Sequence, residues 1–374
     1  GKTPDRIAEL LRAHLSAPQY PKWLRWLAQV TKLHDSRPFF ELVLEAVRDG
    51  LYVGAEQSLW HSAYELAEHQ PAWAIELLHA HLAERPNAMT LNDKGKIVAL
   101  LERDHSANQL LEVGARKAPE TFCDLLLPYM LRAMAKTAKT TAHDRPVLDS
   151  HFSYRYPQMR GGDLEDTLLA SAVAAIGAVV ERDAKAAEPV LRMLATDPHD
   201  ASQWLLYEGL KVAGAVHAQW AAEILLEDKK RLISGYMSNA VWKTRELILA
   251  TSSFMPADSF KRIEHMILTV RFSWEGGRSS RWYQFNLLSA MDEDRLSERG
   301  RRRLAELRRR HLTDHPAEPK GIVADFLRPP ISSDAAKRMS DAQWLRAIAK
   351  YNEDRRDWEH HTGGASEQSR VLHE

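Results

Sequence analysis

Apolar residues return along almost the whole chain at helical spacing, and proline punctuates the returns. Ile7, Leu10, Leu11 and Leu15 share one helical face, with Thr3 and Pro4 placed as N-cap and first-turn proline. Trp23, Trp26, Leu27 and Val30 follow behind Pro21. Phe39, Phe40, Val43, Leu44 and Val47 open at Ser36 and Pro38 and close at Gly50. Leu59, Ala63, Leu66 and Ala67 make a fourth stripe, and Pro71 opens a fifth with Trp73, Ile75, Leu77, Leu78 and Leu82. Pro119 starts another with Phe122, Leu125, Leu126 and Met130. Further stripes fall at 164–180, 190–194, 204–212, 216–226, 241–249, 260–270, 282–291, 296–312 and 335–348. The spacing predicts roughly sixteen to eighteen helices and an all-α fold. No run alternates as a half-buried strand does.

The stripes come in pairs with short connections, roughly 35–45 residues per pair, a period that suits HEAT-like repeats. A helix pair with one apolar face buries it by stacking on the next pair, so a HEAT-like α-solenoid of stacked helix hairpins is expected. Irregular helical packing stays open, because no consensus repeat signature recurs. Two segments break the pattern: 139–163, with Pro146, Pro157, Gly161 and Gly162, and 315–333, with Pro316, Pro319, Pro329 and Pro330. They divide the chain into N-terminal repeats (1–138), a long loop (139–163), central repeats (164–314) and a C-terminal linker and helix (315–374). The last stretch stops inside a helical pattern, which suggests a piece of a longer polypeptide.

The balance of 51 basic and 51 acidic side chains gives no net charge. That argues against a chain built chiefly to bind nucleic acid, yet allows a local basic patch. The lone cysteine, Cys123, rules out an internal disulfide framework and suits a reducing, cytoplasmic setting. No segment reads as a membrane span; the longest apolar candidate, 168–180, reads as a buried helix.

Gly1-Lys2-Thr3 has neither the strand nor the glycines of a phosphate-binding loop. No metal-ligand set or nucleophile motif appears among the seventeen histidines and their neighbours, so no catalytic residue, metal or cofactor is expected. The candidate partner-binding residues are arginines and aromatics, the types enriched at interface hot spots. Arg145, Tyr154, Arg155, Tyr156 and Arg160 cluster in the long loop; Trp274, Arg278, Arg281 and Trp282 flank Gly276-Gly277. A run of arginines, Arg299, Arg301, Arg302, Arg303, Arg308, Arg309 and Arg310, follows Asp292, Glu293, Asp294 and Glu298. Acids before bases suit the helix dipole, so a solvated charged face is the default reading.

Near the C-terminus, Pro330-Ile331-Ser332 leads into Met339-Ser340-Asp341-Ala342-Gln343-Trp344-Leu345-Arg346-Ala347-Ile348, then Lys350-Tyr351, Gly363-Gly364-Ala365 and Val371-Leu372. This stretch, 330–372, resembles a segment in the helical regions of bacterial STAND (NACHT-like) NTPases, several of them antiphage defence proteins. The resemblance implies a sensor region that binds a trigger protein and relays its presence to an ATPase core. No phosphate-binding loop or Walker B carboxylate is present here, so ATP hydrolysis is not implied.

The expectation is therefore a non-catalytic scaffold that docks a protein partner, either a foreign trigger or the rest of its own polypeptide. The alternative is nucleic-acid binding through residues 271–310. A helical enzyme with dispersed catalytic groups is the third reading.

Overall fold

The computed structural model describes residues 3–139, 145–155, 162–272, 281–311 and 329–353, with isolated positions at 316, 319, 364, 365, 368 and 369. Its helices begin with α1 (Pro4–Arg12), α2 (Tyr20–Val30), α3 (Arg37–Arg48), α4 (Glu56–Ala63), α5 (Leu66–His69) and α6 (Pro71–His79). Then come α7 (His105–Lys117), α8 (Pro119–Lys136), α9 (Leu164–Arg182), α10 (Glu188–Thr196), α11 (Asp200–Ala213) and α12 (Ala218–Glu227). The series continues with α13 (Trp242–Thr251), α14 (Ala257–Thr269), α15 (Trp282–Leu288), α16 (Glu298–Arg310), α17 (Ser333–Ala336) and α18 (Asp341–Lys350). Proline stands in the first turn of α1, α2, α3, α6, α8 and α10, where its missing N–H costs no bond. Side chains cap others: Asp104 accepts from the Ser106 and Ala107 amides at α7, and Ser297 from Gly300 at α16.

The chain is predominantly helical, as its periodicity requires. One small departure is an antiparallel pairing of β1 (Ala138–Lys139) with β2 (Leu148–Asp149). Two residues per strand are too few to leave an alternation in the sequence.

Residues 1–319 form one unit and 320–374 another. The first divides close to the linker expected at 315. Within it, residues 1–138 and 164–314 are continuous, because α7 and α8 both pack on α9. Here each helix tends to contact the element two further on. Thus α1 packs on α3, α2 on α4, α6 on α8, α7 on α9, α9 on α11, α11 on α13, α12 on α14, α13 on α15 and α14 on α16.

The second helix corrects the face expected of it. Tyr20, Leu24 and Ala28 are its buried residues, whereas Trp26 and Val30 are 57% and 80% exposed. Bulk does not decide the inward face of this helix, which packs on α4 and α3. In the second unit, α18 opens at Ser340, whose backbone N–H donates to the Gln343 side-chain oxygen at 2.8 Å.

Candidate anion-binding cleft

Three helices bring the cleft together. α14 ends at Thr269 and delivers Leu268 and Arg271 to its rim. α15 starts after Arg281, whose φ of 72° is a left-handed conformation that a non-glycine residue adopts only at a cost. The Arg281 guanidinium donates to the Val270 carbonyl at 3.2 Å and so clasps the two ends of this connection. α16 supplies Arg299, Arg302, Arg303 and Glu306. The resulting cleft has a volume of about 480 Å³ and, among the described residues, is lined by five arginines and one acid.

Burial of Gln284 fixes part of this arrangement. Its amide nitrogen donates to the Ile267 and Leu268 carbonyls at 2.8 and 3.0 Å, and its oxygen accepts from Arg303 Nε at 2.9 Å. Donors and acceptor are all committed, so Arg303 is aimed by a side chain that is itself locked. Arg303 also pairs with Glu306 at 2.6 Å, and Arg302 pairs with Glu298. Glu306 lies below its usual carboxylate range, chiefly through the bond from Arg303 and then its charge. Arg271 and Arg299 make no ion pair among the described residues. Guanidinium groups whose donors are not all spent on protein carboxylates are what a phosphate or carboxylate needs for forked recognition.

The long loop behaves differently. Arg155 pairs with both Glu165 and Asp166 at the start of α9, and Tyr154 is half-buried against Arg145. Burial pushes the Tyr154 hydroxyl up, and Arg145 draws it down. The Val147 carbonyl accepts from the Asp200 amide at 2.8 Å, Phe152 is buried, and the strand pair anchors the same segment. Tyr156, Arg160, Trp274 and Arg278 lie outside the described residues. Trp282 packs between Phe285 and His311, at ring distances of 5.8 and 5.3 Å, and Arg281 lines the cleft.

Beneath the loop lies the arrangement closest to catalytic chemistry. His151 Nδ1 meets Glu165 Oε2 at 2.5 Å, while the Ile97 backbone N–H donates to His151 Nε2 at 2.8 Å. That donation makes Nε2 the acceptor, so the proton sits on Nδ1 and the ring has no nitrogen left to take a substrate proton. Burial raises the Glu165 carboxyl, but His151, Arg155 and Lys96 outweigh it and hold it below the usual range. Nearby, burial and then the Asp149 charge push Asp200 up to about 7. The cavity that Asp200 shares with Phe152, Tyr154 and Trp204 holds about 10 Å³, no more than one water.

One potential ligand set escaped the sequence. His34, Glu65 and His69 place donor atoms within 4.8 Å of one another, with Glu65 and His69 at i, i+4. The two imidazoles stack at 4.1 Å and 24°. Their in-plane lone pairs therefore run nearly side by side and do not converge on one ion.

The cleft's arginines were legible singly, as a run on one predicted helix. With Arg271 and Arg281 they also fall in one stretch of sequence, 271–310, but their convergence on one cleft depends on how α14, α15 and α16 pack. Among the described residues, no helix is long and apolar enough to cross a membrane. Comparison with protein-family profiles, with curated proteins and with solved structures returns no match.

Proposed function

We propose that this chain is a non-catalytic helical binding scaffold that recognises an anionic partner through the cleft of Arg271, Arg281, Arg299, Arg302 and Arg303. The observation that carries this reading is the cleft itself: among the described residues, three guanidinium groups of α16, joined by Arg271 and Arg281 from the two ends of the α14–α15 connection, and one acid line about 480 Å³. The contacts between helices two apart support stacked hairpins of the HEAT-like kind as the frame. Two further features favour binding over catalysis. His151 has both ring nitrogens engaged, and the Cys123 thiol is buried and pushed up to about 12 by burial. The loop around Tyr154 and Arg155 is the weaker docking surface, since Arg155 already holds two carboxylates.

The resemblance at residues 330–372 supports placing the chain in the recognition region of a larger bacterial STAND-type NTPase, in the cytoplasm and in antiviral defence. That part of the reading rests on the resemblance alone.

The test is retention on an immobilised sulfated polyanion, comparing the chain with its Arg271→Ala, Arg299→Ala double variant. Both substitutions remove exposed side chains that make no ion pair among the described residues. The reading expects the parent to elute at clearly higher salt than the variant. Equal elution would remove the cleft from the account.

A further inference from the structure

We infer that the outer face of α2 docks on an anionic lipid surface, lying along it as an interfacial helix. The inference goes beyond the cleft and does not depend on it.

The charge pattern comes first. Residues 10–34 contain no aspartate or glutamate, in a chain where acids make up 51 of 374 residues. The same stretch holds Arg12, Lys22, Arg25 and Lys32. Folding then sorts α2 by face. Tyr20, Leu24 and Ala28 are buried where the helix packs on α4 and α3, and Trp26 and Val30 point the other way. At about 100° per residue, Trp23, Trp26 and Val30 fall within about 60° of one another and form a stripe about 10 Å long. Among the described residues, Trp23 and Trp26 are the tryptophans left exposed; the rest are buried or half-buried. Leu15, in the turn before α2, is exposed as well.

Lys22 and Arg25 flank one edge of the stripe and make no ion pair among the described residues. Lys22 stretches over the Trp26 ring, 4.6 Å from its centroid, and Arg25 Nε donates to the Pro21 carbonyl at 3.2 Å. The acids of neighbouring elements are engaged elsewhere. Glu41 pairs with Arg12 at 3.5 Å, Glu56 with Arg85 at 3.2 Å, Glu45 and Asp49 act on the Tyr20 hydroxyl from the inner side, and Glu65 lies near Lys32.

This combination selects the occupant. An acidic protein surface would satisfy the cations and leave two indoles against polar groups. An apolar groove would take the indoles and strip water from the cations beside them. The headgroup layer of a bilayer accommodates both: indoles settle among the headgroups, and lysine and arginine stems reach past them to phosphates. Anionic lipid adds the attraction that an acid-free surface leaves unopposed. α2 lies on the bilayer and not across it, since its eleven residues rise about 16 Å against a hydrocarbon core of about 30 Å.

The experiment is co-sedimentation of the full chain with vesicles of phosphatidylcholine alone, and of phosphatidylcholine with about 30% phosphatidylserine, across a salt series. The chain should pellet about tenfold more tightly with the anionic vesicles and be released as salt rises. Lys22→Gln, Arg25→Gln should weaken that binding by about tenfold, and Trp26→Ser, Val30→Ser should weaken it comparably. Val30→Trp lengthens the indole stripe and should tighten binding several-fold, a gain that misfolding cannot imitate. The Arg271→Ala, Arg299→Ala double variant should bind vesicles as the parent does. No pelleting with anionic vesicles, or pelleting lost in the cleft variant and kept in the α2 variants, overturns the inference and leaves the cleft reading to its own test. So does a dimer that Trp26→Ser, Val30→Ser dissolves, because a second copy would then cover this face.

Discussion

A methyl group built on Gly300 would overlap the carboxylate of Glu264, because that acid reaches across the first turn of α16. Glu264 is buried on α14, and its Oε1 accepts from the Ser297 backbone N–H at 3.1 Å and from the Ser297 hydroxyl at 2.6 Å. Ser297 in turn caps Gly300. A carboxylate at a helix N-terminus is favoured by the helix dipole, and here it belongs to the neighbouring helix. It pins the start of the arginine row to α14.

Gly300→Ala should therefore destabilise the chain. Within a helix the same change normally gains about 0.5–1 kcal/mol. Here the overlap makes the buried Glu264 carboxylate swing aside and give up its bonds to Ser297, a penalty of about 1–3 kcal/mol. Chemical denaturation reads the sign directly: a raised midpoint would show that the Glu264–Ser297 bonds do not hold the start of α16.

Gln284→Leu tests how Arg303 is held. The substitution keeps the volume but strands two carbonyls and the Arg303 Nε, each worth about 1–3 kcal/mol when left without a partner. Stability should fall by that order. Polyanion retention should fall too, although Gln284 does not line the cleft. Retention equal to the parent, in protein shown to be folded, would mean Arg303 needs no such support.

Asp200 should make stability fall as pH rises through mildly acidic values. Its folded value, about 7, lies above the unfolded value of about 3.9. The folded chain thus holds the extra proton between them. The contribution is fully present below the lower value and is lost as pH climbs through the upper one, by as much as a few kcal/mol. Glu165, Asp197 and Glu208, all held below their usual range, slope the other way. The measurement is therefore a difference: Asp200→Asn should gain stability on the parent from pH 5 to pH 8. Parallel curves would refute it.

Cys123 should resist a thiol reagent at pH 8 until the chain unfolds. It is buried, and burial pushes its thiol up to about 12. Labelling in native buffer at the rate seen in denaturant would contradict that placement.

Much of this structure was legible in the sequence because a helix repeats within a few residues. Pro4, Pro38, Pro71 and Pro119 mark starts that the structure keeps. What a helix presents to its neighbours is less local. Trp23 and Trp26 have the bulk of core residues, yet the smaller stripe of Tyr20, Leu24 and Ala28 is the one buried. His151 and Glu165 are fourteen residues apart, on a loop and on α9, and no spacing rule joins them. The zero net charge likewise averages over the whole chain and conceals arginines that packing gathers in one place.

The habit by which helices of residues 1–319 touch the element two further along has a kinetic meaning. Most partners lie a few dozen residues apart, so little chain entropy is spent before a contact forms. Order can start at more than one point and spread to adjoining helices. By the same token, an injury to one helix should unravel its immediate flanks first and leave remote ones intact, as local hydrogen exchange would register.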